Sequence, residues 1–199
     1  MKNFRALSVL MILILLAGCA AKIPHTIVPD YSKRGTKLIV VMPVKSGTND
    51  KSAEMLRTKL AEELYFKGYP RIPFKAVDDV LAEIAATPGG KVSPQSIGER
   101  LKVDAVLYAT IRESSTRRLL FYAPTTVDLE FELWSTKTAE SLWHVRCKTT
   151  KRNFGFTKKQ LELKSSQIYE EAILELVNRA LGTLPDSTDG IPSEAAPRS

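Results

Sequence analysis

Val127-Asp128-Leu129-Glu130-Phe131-Glu132-Leu133 and Trp143-His144-Val145-Arg146-Cys147-Lys148 alternate apolar and charged residues. A period of two puts successive side chains on opposite faces of a strand. Two such runs, separated by a short polar stretch at Thr136-Lys137-Thr138-Ala139, predict an antiparallel hairpin with one buried and one wet face. Placing Leu133 opposite Trp143 sets Val145 against Phe131 and Cys147 against Leu129. The wet face then pairs Glu132 with His144, Glu130 with Arg146 and Asp128 with Lys148, three complementary cross-strand pairs from one register. A slip of one residue would put Trp143 in water.

Upstream of the hairpin, Val103 to Arg112 is an apolar run suited to a central strand, and the continuously apolar Leu38 to Pro43 suits a strand covered on both faces. A helix is expected between them from about Lys51 to Lys67. Ala53, Leu56, Leu60 and Leu64 form its apolar face, Arg57, Lys59, Glu62 and Glu63 face water, and Gly68 ends it. Tyr69 to Phe74 reads as a second strand near an edge, because Pro70 and Pro73 lack N–H donors. A second helix follows from about Lys75 to Ala86, with Asp78 and Asp79 in its first turn. A short helix opens at Ser93-Pro94, Ser as cap and Pro at the first helical position. The last helix covers Lys158 to Leu181 with a core face of Ile168, Ala172, Ile173, Leu176, Val177 and Ala180. The expected class is α/β, in two or three layers around one mixed sheet. Early strands are parallel through helical crossovers, a later hairpin is antiparallel, and a C-terminal helix closes the chain.

The amino terminus reads as a targeting segment. Lys2 and Arg5 precede the apolar stretch Ala6 to Ala17, which is shorter than the roughly 20 residues a spanning helix needs. Leu16-Ala17-Gly18-Cys19 then looks like a bacterial lipobox, in which the Cys19 thiol takes a diacylglycerol and the chain is cut before it. Ala20, a residue other than Asp, favours the outer membrane by resemblance to the bacterial sorting rule. The organisation expected is a signal peptide over 1–18, a lipidated tether over 19–36, one domain over 37–184 and a disordered tail over 185–199.

Composition supports a packed core, with 44% apolar and 26% charged residues in a chain of 199. Two Cys and two His exclude a disulfide scaffold and argue against a multi-ligand metal site. The net charge of +7 is uneven. From His144 to Lys164 seven cations meet only Glu162. This stretch, with Asn153-Phe154-Gly155-Phe156 inside it, reads either as a contact for anionic envelope material or an acidic partner, or as a solvated strand end partly neutralised by Asp128 and Glu130. The candidate partner-binding residues are Arg146, Lys148, Lys151, Arg152, Phe154, Phe156, Lys158 and Lys159.

The lipobox, the strand Leu38 to Pro43, Val103-Asp104-Ala105-Val106-Leu107-Tyr108 and Glu140-Ser141-Leu142-Trp143 together resemble a family of small bacterial lipoproteins of unknown function. One member is a meningococcal vaccine-candidate antigen, and members are often found beside curli-secretion-type (CsgG-like) lipoproteins. The domain is also similar to the TolB amino-terminal domain and to the penicillin-binding-protein activator LpoB. The chain departs from the family pattern at Pro43-Val44-Lys45-Ser46, at Val103, and at Ala139, where members often carry Gly before the Glu. The resemblance implies an outer-membrane lipoprotein on the periplasmic face, a non-enzymatic accessory or scaffold subunit of an envelope assembly or secretion complex. Its alternatives are an LpoB-like regulator of peptidoglycan synthesis and, more remotely, an envelope hydrolase. The implied partners are the membrane through the lipid, other CsgG-like lipoproteins, and peptidoglycan or another anionic polymer. Nucleic acid is not expected, and self-association stays open.

No catalytic residue, cofactor or metal is expected. Cys147 alternates with Trp143 and Val145, as a small core residue does, and its neighbour His144 falls on the opposite face. A His-based zinc site would need His25, in the tether, to meet His144. Lys45-Ser46-Gly47-Thr48 lacks the glycine that a phosphate loop carries ahead of its Lys-Ser. Asp128, Glu130 and Glu132 each have a cationic partner in the expected register.

Overall fold

The computed structural model describes residues 23–47, 50–117, 122–154 and 157–187. Six strands form one sheet: β1 (His25–Ile27), β2 (Ile39–Val41), β3 (Lys45–Ser46), β4 (Ala105–Thr116), β5 (Thr125–Ser135) and β6 (Ser141–Lys151). Their order is β1-β6-β5-β4-β2, with β3 also on β4. Both β2 and β3 run parallel to β4, and the other neighbours are antiparallel. The sheet is mixed, as the run-and-alternation pattern requires.

Among the described residues four α-helices complete the domain: α1 (Asp50–Phe66), α2 (Phe74–Ala86), α3 (Pro94–Leu101) and α4 (Lys158–Leu181). Local chemistry sets their ends. Gly68, at φ +88°, closes the turn after α1. Ser93 and Ser96 cap α3 reciprocally, side chain to backbone N–H, and Lys102 closes it at φ +55°. Thr157 caps α4 by accepting from the Gln160 N–H. The core face expected for α4 is buried from Ala172 to Ala180, whereas Ile168 is half-buried.

Alternation divides the sheet into two unlike faces. On one, Leu107, Leu129, Phe131, Trp143 and Val145 pack against Leu56, Leu60 and Leu64 of α1 and Ile173 and Leu176 of α4. Each such buried Leu contributes on the order of 2 kcal/mol. On the other, Val40, Met42 and Val106 meet Val77 and Ile84 of α2 and Ile97 of α3. The molecule is thus three layers deep over β2 and β4 and two layers deep over β5 and β6.

Several expectations are corrected. Tyr69 to Phe74 is no strand. Its two prolines remove ladder donors, and its aromatics have other work. The Tyr69 hydroxyl donates to the Pro185 carbonyl at 2.9 Å and lies 3.1 Å from the Tyr31 hydroxyl, while Phe74 begins α2. Arg57 does not face water. It is 9% exposed, donates to the Val41 carbonyl at 3.3 Å, pairs with Asp78 at 2.8 Å and stacks 4.3 Å above the Phe74 ring. Asp78 therefore serves Arg57, and the first turn of α2 carries no acid.

The expected tether packs from Ile23 onward, since β1 pairs with β6, and Tyr31 and Thr36 are buried. Arg34 clamps this segment to Glu140 at 2.8 Å and to Asp30 at 3.1 Å. Residues 185–187, placed in the expected tail, also pack on the domain: Ser187 N–H donates to the Lys67 carbonyl at 2.8 Å and Lys67 pairs with Asp186 at 2.5 Å. The signal peptide, Cys19 and residues 188–199 lie outside the described residues. Among the described residues no helix is long and apolar enough to cross a membrane.

Candidate interaction surface on the open sheet face

The backbone register is the one the alternation predicts: Leu133 faces Trp143, Phe131 faces Val145 and Leu129 faces Cys147, with Glu132, Glu130 and Asp128 opposite His144, Arg146 and Lys148. The side chains nonetheless pair one step along the diagonal. His144 Nε2 meets Glu130 at 3.1 Å, Arg146 grips Asp128 at 3.1 and 2.7 Å, and Lys148 reaches past Asp128 to Glu113 at 2.6 Å. The twist of neighbouring strands brings diagonal positions within reach of long side chains. Glu132, left without its expected cation, accepts from the Trp134 indole N–H at 3.4 Å.

A register shift between Ile111 and Glu113 completes this lattice. Strict alternation would send Arg112 and Glu113 to opposite faces. With one extra residue in β4, both turn to the open face. Arg112 then engages Glu130 and Glu113 receives Lys148. The His144 hydrogen bond and the Arg112 guanidinium hold the Glu130 carboxyl below the usual range against the effect of burial. Lys148, with Ser115, does the same for Glu113, and Asp128 raises the Arg146 guanidinium.

Glu130, Glu132 and His144 place one ligand atom each within 4.8 Å of one another. Requiring both histidines hides this grouping in the sequence, since two carboxylates take the place of His25, which lies exposed in β1. Arg112 already brings Glu130 the positive charge an ion would bring. Cys147 lies on the buried face, 5% exposed, with its thiol 3.7 Å from the Leu176 carbonyl. Burial pushes that thiol up to about 12, so it carries almost no thiolate at neutral pH.

The eight candidate contact residues are split. Arg146 and Lys148 are taken up by the chain's own carboxylates, and Lys151 pairs with Glu175 of α4. Arg152, Phe154 and Lys159 lie exposed at the far end of the hairpin. There the Phe154 ring packs at a 40° tilt against Tyr122 with centroids 5.0 Å apart, and Lys164 donates to its carbonyl at 3.1 Å. Phe156 and the Lys158 side chain lie outside the described residues.

Several solved structures are similar to this chain. Lipoprotein GNA1162 from Neisseria meningitidis is 20% identical, with a TM-score of 0.53, covering 68% of this chain and 96% of that one. The PelC dodecamer from Paraburkholderia phytofirmans is 15% identical, with a TM-score of 0.46, over 79% and 95%. The LpoB C-terminal domain from Escherichia coli is 15% identical, with a TM-score of 0.41, over 62% and 94%. No curated protein matches the chain in sequence. The family model for GNA1162-like lipoproteins matches residues 30–198, and the chain belongs to that family.

Proposed function

We propose that the protein is an outer-membrane lipoprotein acylated at Cys19, whose domain faces the periplasm as a non-enzymatic accessory or scaffold subunit of an envelope assembly or secretion complex. The family match carries this reading, and Leu16-Ala17-Gly18-Cys19 supplies the acceptor thiol. The open face supports the non-enzymatic part. Its carboxylates Glu113, Asp128 and Glu130 are held by the chain's own cations, and the described cysteine is buried on the other side.

The alternative reading, a regulator of peptidoglycan synthesis, rests on the resemblance to LpoB, with the tether helping it to reach across. A free segment from Ala20 to Lys37 could extend about 60 Å. Packing from Ile23 removes most of that length. Crosslinking in intact envelopes, followed by capture of the chain, tests the accessory role. Discrete crosslinks to other envelope lipoproteins are expected, and a chain that crosslinks to nothing refutes it. Cys19→Ala should move the chain out of the membrane fraction.

A further inference from the structure

The way β1 lies on β6 fixes where the amino-terminal chain leaves the domain. His25 faces Val145 and Ile27 faces Trp143, antiparallel. Continued backwards, that register sets Ile23 level with Cys147, and Ile23 is still packed on the core. Cys19 lies four residues earlier, at most about 14 Å away. From Cys147 to Lys151, β6 runs a further four residues, again about 13 Å. The acylated thiol of Cys19 can therefore reach the level of the far rim of the hairpin and little beyond, with its acyl chains extending further.

That rim is built for such a neighbour. Arg117, Arg152 and Lys159 are exposed there and have no ion-pair partner among the described residues. Between these cations Phe154 and Leu163 are each 64% exposed, among the most exposed large apolar side chains of the domain. Cations beside exposed aromatic and aliphatic groups match the headgroup layer of an anionic bilayer. The hairpin turn itself, Thr136 to Glu140, carries no large apolar residue.

Building on the lipid-anchored reading, we propose that the rim formed by the ends of β4 and β6 and the start of α4 seats the domain on anionic phospholipid headgroups. The hairpin turn and the open charged face then point away from the membrane or along it.

The test uses the full acylated chain reconstituted into vesicles of phosphatidylethanolamine and phosphatidylglycerol. A fluorophore is attached at Thr150→Cys on the rim or at Lys137→Cys in the turn, both exposed positions. Bilayer-embedded spin-labelled lipid should quench the rim label several-fold more than the turn label. Arg152→Glu with Lys159→Glu, shown by circular dichroism to be folded, should bring rim quenching down towards that of the turn. Equal quenching at both sites in an acylated, vesicle-bound chain overturns the seating alone, as does a charge-reversed chain quenched like the parent. An intact mass without acyl groups on Cys19 overturns the anchor and the seating together.

Discussion

Ala139 stands in the hairpin turn at φ +54°, the left-handed region, although it has a side chain. The turn forces it there. Its N–H donates to the Ser135 carbonyl at 3.0 Å, and the Ser135 N–H donates to the Glu140 carbonyl at 2.9 Å. The Ser135 hydroxyl accepts from Lys137 and Thr138 N–H at 3.3 and 3.2 Å. An L-residue in this conformation costs about 1–2 kcal/mol. Replacing Ala139 by Gly removes that cost but returns about 0.4–1 kcal/mol of unfolded-chain freedom. The net gain is about 0.5–1 kcal/mol, or roughly 2 °C in Tm for a domain of this size. Ala139→Val should move the other way, because β-branched residues fit this region worst. Urea denaturation followed by circular dichroism measures both. A Gly variant less stable than the parent, or a Val variant as stable as it, would refute the reasoning. The glycine that family members often carry before the Glu thus answers a backbone demand this chain meets at a cost.

Gly98→Ala should lose about 1–3 kcal/mol by overpacking, since a Cβ there would lie 2.4 Å from that of Thr136. Thr136 cannot turn aside without giving up its bonds to the Val103 and Asp104 carbonyls at 2.6 and 2.9 Å, and the same urea titration reads the loss. Cys147 should stay unmodified by a maleimide in the folded chain and react on unfolding; fast labelling of the native state would contradict its burial. Glu113, Glu130, Glu140 and Glu175 are all held below the usual carboxylate range by cationic partners. Their stabilisation is complete above the unfolded value of about 4.3 and drains away as pH falls through the lower folded values. Stability at about pH 3 should be lower than at about pH 6, and a flat profile would count against these pairs.

The hairpin was legible because two independent patterns, apolar alternation and charge complementarity, agree on one register. The side-chain partners were not, because strand twist shifts them along the diagonal and residue identities carry no record of it. The extra residue at Arg112 leaves no pattern either, since Arg-Glu at the end of a strand suits either face. Arg57 was misread for a related reason. Helical spacing put it beside Lys59 and Glu62, and only the fold brings the Val41 carbonyl, Asp78 and Phe74 around its guanidinium. His25-Thr26-Ile27, set between Pro24 and Pro29, has too few residues to show a period, so β1 looks like loop. The basic stretch was found as a run of sequence, yet in space it divides. Arg146 and Lys148 neutralise the open face, Lys151 pairs with Glu175 of α4, and Arg152 and Lys159 lie at one rim with Phe154.

β1 has a consequence for anyone who shortens the chain. Its three residues occupy the outer N–H and C=O groups along the first half of β6. A polypeptide begun at Lys37, the boundary that composition suggests, would leave those groups bare beside Trp143 and Val145. An uncovered strand of that length is a template on which a second copy can add its own. Such a fragment would be prone to aggregate or to pair artificially with itself, and a dimer seen with it would report the cut rather than the protein.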